Sequence, residues 1–227
     1  MQIAIVKYNA GNIYSVVNAL RRLGVEPLLT DNPEQLMKAD GVLFPGQGEA
    51  SNCMHYLREH RLDEVIKGLR QPVLGICVGQ QLMCRHSEEG DADCLGIFDV
   101  DVKRFRPTSH GQKVPCMGWN KIDLTPSPSP KERGVDSSCG ESTDSDTKFP
   151  PLFGRGFGGE VPFVYFVHSY YVPVCEWTVA TAEYILPYSA ALQKDNFYTC
   201  QFHPEKSGRV GEQIIRNFLE VVEGLKN

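Results

Sequence analysis

A cysteine between two glycines is the strongest candidate for a nucleophile in this sequence. Cys77 stands in the run G-I-C-V-G at 75–79, after an apolar segment and before an amphipathic stretch that begins at Gln80. This is the nucleophile-elbow pattern with cysteine in place of serine, and it indicates a tight turn from a strand into a helix. The N-terminus of that helix would favour the thiolate, which is the reactive form. The alternative is a structural thiol buried behind a core strand.

A base and an acid that could orient it stand near the other end of the chain, in the run Q-F-H-P-E at 201–205. A thiolate nucleophile needs a base, and the base needs a group that holds its ring. Pro204 restricts His203 to an extended conformation, so that one ring nitrogen could face the sulfur and Glu205 could hold the other. Alone, H-P-E could be a surface turn. Together with the cysteine elbow it predicts a Cys77–His203–Glu205 triad.

Glycines after the third predicted strand are candidates for an oxyanion site. The run P-G-Q-G covers 45–48, and the backbone N–H groups of Gly46, Gln47 and Gly48 could approach a ligand closely there. The N–H of Val78, directly after the nucleophile, is the other natural donor. The third glycine of a dinucleotide fingerprint is missing, so the sequence predicts no Rossmann cofactor site.

The elements that must position these residues alternate between strand and helix in the first half of the chain. Apolar runs predict strands at 3–8, 26–30, 41–46 and 72–76, and helical spacing predicts helices at 16–23 and 54–69. In the second half, strand candidates follow one another closely at 98–105, 161–172, 177–184, 190–194 and 197–202, before a last helix at 210–225. We therefore predict an α/β fold with a central mixed, mostly parallel sheet, helices on both faces and antiparallel additions from the second half.

Length and composition fit one domain over 1–227, although two small domains are also compatible with them. The hydrophobic share of 41% and the charged share of 22% are those of an ordinary globular protein. A net charge of -5 without a basic stripe argues against nucleic-acid binding. No apolar run approaches the roughly 18 residues of a membrane span, and the start lacks a secretory signal. We expect a cytoplasmic protein without membrane contact.

The eight cysteines show no metal-binding spacing. None forms a C-x-x-C pair or stands beside a histidine at zinc-ligand distance along the chain, so we expect no metal site. In a cytosolic chain most of these cysteines should be reduced and packed as small apolar groups.

One segment differs from the rest of the chain. Residues 125–148 are rich in proline, serine, threonine, glycine and charge, and nearly devoid of large apolar side chains. Such a segment cannot bury enough surface to offset the entropy of ordering it. We predict a disordered surface insertion between two strands.

The order of these motifs resembles the class I, or triad, glutamine amidotransferases over nearly the whole chain. The resemblance is carried by the runs P-G-Q-G, G-I-C-V-G-Q-Q-L-M, F-V-H-S-Y-Y-V and Q-F-H-P-E-K-S-G. The runs Y-N-A-G-N at 8–12, V-P-C-M-G-W-N at 114–120 and H-S-Y-Y-V at 168–172 are similar to the glutaminase subunits of imidazole glycerol phosphate synthases. The resemblance implies the class I amidotransferase fold, no cofactor, and hydrolysis of glutamine to glutamate and ammonia.

The resemblance also implies roles for single residues. Cys77 would attack the carboxamide of glutamine, and His203, steadied by Glu205, would protonate the leaving ammonia. The residues implied to bind the rest of glutamine, beside Gly46, Gln47, Gly48 and Val78 at the oxyanion, are Gln81, Ser169, Tyr170 and Tyr171.

The resemblance further implies a partner protein. Ammonia would pass to a separate (β/α)8-barrel cyclase subunit in a heterodimer, which would make imidazole glycerol phosphate and aminoimidazole carboxamide ribotide in histidine biosynthesis. The positions that match the partner-facing surface of the family are Asn12, Pro115, Met117, Trp119 and Lys206. Trp119 as a core aromatic and Lys206 as a solvated charge are the alternatives.

Three features depart from the family pattern. Gln47 stands where an apolar residue is more frequent, Cys116 stands where a larger polar residue is frequent, and the 125–148 insertion lengthens a short connection. We expect the insertion on the outside, away from the partner. Other interpretations are a paralogous glutaminase for another ammonia-using synthase, such as one for amidino sugars, a non-catalytic regulatory subunit, and a cysteine peptidase or esterase.

Overall fold

The computed structural model describes residues 1–8, 13–46, 48–124, 152–153 and 162–225. Three predictions fall outside these ranges: the disordered insertion at 125–148, the interface residue Asn12 and the oxyanion residue Gln47. They stay predictions.

Strands and helices alternate through the first half, as the sequence predicts. The strands are β1 (Ile3–Val6), β2 (Leu28–Thr30), β3 (Gly41–Gly46), β4 (Val73–Cys77), β5 (Cys84–Ser87), β6 (Ala92–Asp93), β7 (Phe98–Arg104), β8 (Cys116–Lys121), β9 (Asp123–Leu124), β10 (Phe163–His168), β11 (Tyr170–Tyr171), β12 (Thr178–Tyr184), β13 (Leu186–Lys194) and β14 (Phe197–Cys200). The helices are α1 (Tyr14–Arg22), α2 (Pro33–Lys38), α3 (Ala50–Glu59), α4 (Leu62–Gly68), α5 (Val78–Met83) and α6 (Gly208–Gly224).

The main sheet is mixed and mostly parallel. Its eight strands lie in the order β2-β1-β3-β4-β14-β13-β12-β9. The first five strands in this order pair in parallel, and the remaining pairs are antiparallel. Every residue of β1, β3, β4 and β14 is buried, as in strands of a sheet that is covered on both faces. The predicted fold class is confirmed.

Two further sheets take strands that the sequence assigns to the main one. β8 and β10 form an antiparallel ribbon, and β11, β7, β5 and β6 form a four-stranded sheet. The alternation of apolar and polar residues predicts a half-buried strand but does not say with which strand it pairs. The prediction of antiparallel additions therefore holds for β12 and β13, whereas β9 was not predicted and β14 pairs in parallel with β4.

The long helix predicted at 54–69 is two helices. α3 ends before His60, and Arg61 takes a left-handed conformation with φ 56°, after which α4 begins. Leu57, Leu62 and Ile66 are all buried, so the apolar spacing continues across the break. A glycine at this position would have indicated a helix break in the sequence, but an arginine in a left-handed conformation gives no such indication. None of the helices in the described ranges is long and apolar enough to cross a membrane.

Candidate active site

Cys77 occupies the strained turn that the sequence predicts. It ends β4 and directly precedes α5, with φ 55° and ψ -110°. The turn requires glycine at position 79, because a Cβ there would overlap the carbonyl oxygen of Phe44 and lie 3.0 Å from its carbonyl carbon. A Cβ on Gly75 would lie 3.2 Å from the Gly79 backbone. The cysteine is thus held at the end of its strand, at the start of a helix.

The sheet brings the predicted segments together at one edge. β14 pairs in parallel with β4, and Cys200 lies opposite Ile76. β3 pairs with β4 on the other side, and Gly46 lies opposite Cys77. Parallel neighbours end at the same edge, so the segment that follows β14 reaches the Cys77 elbow.

His203 and Glu205 form the predicted pair. His203 Nδ1 lies 2.8 Å from Glu205 Oε1, and both side chains are 2% exposed. His203 has the extended backbone expected before a proline, and Pro204–Lys206 form a 3-10 turn. A carboxylate only accepts, so Nδ1 donates to it. The other ring nitrogen, Nε2, is buried and has no hydrogen-bond partner among the described residues.

The environment of His203 favours its charged form. Burial alone would lower the pKa of His203, but its interactions with Cys77 and Glu205 outweigh burial and raise that pKa to about 10. In its charged form the ring carries an N–H at Nε2 that can act as a proton donor.

The Cys77 sulfur has two polar neighbours besides His203. The Cys77 thiol donates to the carbonyl oxygen of Val167 at 3.9 Å, and its sulfur accepts a hydrogen bond from Gln201 Nε2 at 3.7 Å. Gln201 in turn accepts a hydrogen bond from Gln81 Nε2 at 3.0 Å, and Gln81 Nε2 also donates to the Tyr170 carbonyl at 3.1 Å. A chain of amides thus joins the sulfur to the strand at 170–171.

A cleft of ≈ 470 Å³ opens over the sulfur. Its walls include Cys77 and His203 together with predicted binding and interface residues, namely Gly48, Val78, Gln81, Ser169, Tyr170, Pro115 and Lys206. Tyr171 is not part of the wall, because its ring stacks on Phe105 with 4.6 Å between the centroids. Gly46 lies behind the wall, where a Cβ would come within 2.9 Å of the Val78 Cβ.

Comparison with known proteins identifies the family of this chain. The profile of the family described as glutamine amidotransferase class-I matches residues 4–222. The chain belongs to this family. An imidazole glycerol phosphate synthase subunit HisH from Bacteroides thetaiotaomicron is 57% identical over 221 residues, which cover 97% of this chain and 100% of that relative. The subunit of the same name from Escherichia coli is 39% identical over 224 residues, with the same coverage.

Solved structures of other amidotransferases share the fold. A protein from Thermoplasma acidophilum that is described as a subunit of a GMP synthase has a TM-score of 0.65 at 19% identity and covers 100% of this chain and 96% of its own. A structure described as glutamine amidotransferase has a TM-score of 0.65 at 17% identity, with 97% and 98% covered. At this identity the likeness supports the class I amidotransferase fold alone.

Two polar residues of this amidotransferase site were not singled out from the sequence. Gln201 contacts the sulfur, and His168 lies in the wall of the cleft. The pKa of His168 is lowered to about 4, mainly by burial and to a smaller extent by the charge of His203, while the hydrogen bond to the Tyr170 carbonyl opposes both effects. His168 is thus neutral, and its Nδ1 donates to that carbonyl at 2.7 Å. Both residues stand inside the motifs used above, Gln201 in Q-F-H-P-E and His168 in H-S-Y-Y-V, which is the one signal that could have found them.

The β8–β10 ribbon of this amidotransferase exposes an apolar face. Met117, Trp119 and Phe163 are 65%, 58% and 54% exposed. Trp119 lies opposite Tyr165 in the ribbon, and Met117 lies opposite Val167. Tyr165 and Val167 line the cleft, so the exposed face continues into the site. We call Met117, Trp119, Phe163, Tyr165 and Val167 the ribbon face.

Within the described ranges, no group of three or more histidine, cysteine, aspartate or glutamate side chains could hold a metal ion. The polar groups that line the cleft include the Cys77 thiol, the imidazoles of His168 and His203, and the Gln81 amide. These are groups suited to nucleophilic acyl transfer.

Proposed function

We propose that this chain hydrolyses glutamine to glutamate and ammonia and serves as the glutaminase subunit of an imidazole glycerol phosphate synthase. The observation that carries the proposal is the meeting of a strained Cys77 elbow with the buried His203–Glu205 pair at one sheet edge. The two HisH relatives, aligned over 97% of this chain, support the choice of synthase.

The chemistry follows from the charge state of the pair. The Cys77 thiolate adds to the carboxamide carbon of glutamine, and the carbonyl oxygen becomes an oxyanion. The His203 imidazolium gives its Nε2 proton to the departing amine, so ammonia leaves and a glutamyl thioester remains. Neutral His203 then takes a proton from water, whose oxygen attacks the thioester and releases glutamate and the thiolate. Glu205 holds Nδ1–H throughout, which fixes the orientation of the ring.

Binding of glutamine would use the rest of the cleft. The proposed oxyanion donors are the backbone N–H groups at Gly46, Gln47 and Gly48 and that of Val78; Gly48 has φ 135°, which suits glycine. The proposed contacts to the amino-acid end are Gln81 on α5 and the segment of Ser169, Tyr170 and Tyr171. For Tyr171 the contact would be through its backbone, since its side chain packs on Phe105.

Ammonia must reach a second active site without loss to solvent. We propose that a separate (β/α)8-barrel cyclase docks on the ribbon face as the other half of a heterodimer. Trp119, Met117, Pro115 and Lys206 would contact it, as would Asn12. The cyclase would use ammonia for the lyase step of histidine biosynthesis, in the cytoplasm. The continuity of the ribbon face with the cleft supports this choice of surface.

The test of the proposed function is glutamate release from glutamine. The purified chain should hydrolyse glutamine slowly when alone, and the rate should rise by roughly 10- to 100-fold when a barrel cyclase and its ribotide ligand are added, within the range typical of allosteric coupling. Fast hydrolysis by the chain alone would support the glutaminase reaction but contradict activation by the partner. Absence of hydrolysis in both conditions, with Cys77 reduced, would contradict the proposal.

Trp119→Ala should weaken binding of the cyclase rather than folding. Truncation of a large aromatic side chain at the centre of an interface typically lowers the binding free energy by about 2 kcal/mol or more. This corresponds to about a 30-fold rise in Kd. Isothermal titration calorimetry gives the affinity and thermal unfolding gives the stability. Met37→Ala is the matched control, because Met37 is also 58% exposed but lies on α2, away from the ribbon face. A large fall in melting temperature with unchanged affinity for the cyclase would show that Trp119 stabilises the fold and does not contact the partner.

A further inference from the structure

The side chain of Gln201 is a buried amide in contact with the nucleophile. Gln201 directly follows β14, is fully buried, and its backbone N–H donates to the Ala190 carbonyl at 2.8 Å. Its Nε2 lies 3.7 Å from the Cys77 sulfur, and its Oε1 accepts from Gln81 Nε2 at 3.0 Å. The amide therefore bridges the sulfur and a residue of the cleft wall.

The hydrogen-bond network fixes which end of this amide faces the sulfur. The Tyr170 carbonyl can only accept, so the Gln81 atom 3.1 Å from it must be the NH₂ group. The same NH₂ group meets Gln201, which must present its oxygen. The NH₂ group of Gln201 therefore faces Cys77. His168 strengthens the anchor, because its Nδ1–H donates to the same Tyr170 carbonyl.

A donor at this position acts on the charge of the sulfur. Cys77 is nearly buried, and burial disfavours a charged thiolate. A hydrogen bond to the charged form favours that form, and hydrogen bonds to ionised groups are stronger than those between neutral groups. An amide supplies this bond without adding a second positive charge beside His203.

We propose that Gln201 stabilises the Cys77 thiolate through its side-chain N–H, and that Gln81 is a positioning residue that holds the Gln201 amide in the donating orientation. This inference rests on the proposed function in that it takes Cys77 as the nucleophile. It places the proposed binding residue Gln81 and the nucleophile in one hydrogen-bond network. Loss of either amide would then act on the sulfur even when no glutamine is present.

The test is the pH dependence of alkylation of Cys77 by iodoacetamide, followed by mass spectrometry of the peptide that contains Cys77. Site-resolved detection is needed because Cys94 and Cys175 are partly exposed thiols. Gln201→Met keeps the length and loses the donor, and should move the midpoint of the profile up by about one pH unit, or roughly tenfold slower alkylation at neutral pH. Gln201→Glu is nearly isosteric and only accepts, and should move the midpoint further.

Two more variants complete the design. Gln80→Met is the matched control, because Gln80 is a buried neighbour that donates to the Ser189 carbonyl at 3.2 Å instead of the sulfur; its midpoint should not move. Gln81→Met should raise the midpoint by less than Gln201→Met, and it tests the network even if Gln201 variants fail to fold. Unchanged midpoints in the folded Gln201 or Gln81 variants would overturn the inference.

The assay separates this inference from the proposed function. If the chain with its cyclase releases no glutamate but the midpoints still shift, the proposed function fails and the role of Gln201 stands. If glutamate is released and the midpoints do not shift, the role of Gln201 fails alone.

Discussion

Cys77→Ala in the complex with the barrel cyclase should reduce glutamine-dependent synthesis by at least about a thousandfold and leave synthesis from added ammonium salt intact. The size follows from the loss of a nucleophile that forms a covalent intermediate, for which no other group in the site can substitute. Synthesis from ammonium salt persists because only the source of ammonia is lost. The measurement is the rate of product formation from glutamine and, separately, from ammonium chloride.

The matched control is Cys94→Ala, which removes a partly exposed thiol that does not line the cleft. Both reactions should continue in this variant. Equal loss of both reactions in Cys77→Ala, with the complex intact, would contradict the division of labour between the two subunits. Retention of both would show that Cys77 is not the nucleophile.

Gly79→Ala should destabilise the fold by at least about 3 kcal/mol or prevent folding, although alanine is normally the better helix residue. The added Cβ would overlap the Phe44 carbonyl oxygen, which belongs to the neighbouring strand β3 and cannot move without disturbing the sheet. Urea unfolding followed by circular dichroism gives the free energy. The turn that places Cys77 at the cleft and the packing of β3 against α5 thus both depend on the absence of a side chain at Gly79.

Gly68→Ala is the control for this prediction. Gly68 ends α4, and a Cβ there would meet nothing within 4 Å. Its free energy of unfolding should stay constant or rise by up to about 1 kcal/mol, from helix propensity alone. Similar small effects of both substitutions would mean that the Cys77 turn relaxes and that its strain does not depend on glycine.

The meeting of Cys77 with His203 and Glu205 could be predicted because each stands at the end of a strand whose pattern is visible in the sequence. The orientation of Gln201 could not, since it is fixed by Gln81 and the Tyr170 carbonyl, which lie far away along the chain. Local patterns identify elements and their ends. They do not describe hydrogen bonds between side chains that only the folded sheet brings together.

Pairing and helix breaks show the same limit. The strand at 98–104 has the expected alternation but pairs with β5 and β11, outside the main sheet. The apolar spacing at 54–69 continues through a break at Arg61, because both helices bury the same kind of face. In both cases, the same pattern of buried residues is compatible with more than one backbone arrangement.

β14 lies near the centre of the main sheet but comes late in the sequence. The ribosome therefore adds His203 long after it has added Cys77. Gln201 contacts Cys77 across 124 positions of the chain, and His203 follows two residues later. During synthesis, β4 is made before β14, so one edge of β4 stays unpaired until β14 has been translated. Closing such a long separation comes late in folding. Under the proposed mechanism, unfinished chains therefore carry the Cys77 thiol without the His203 imidazole and do not release ammonia until the sheet is complete.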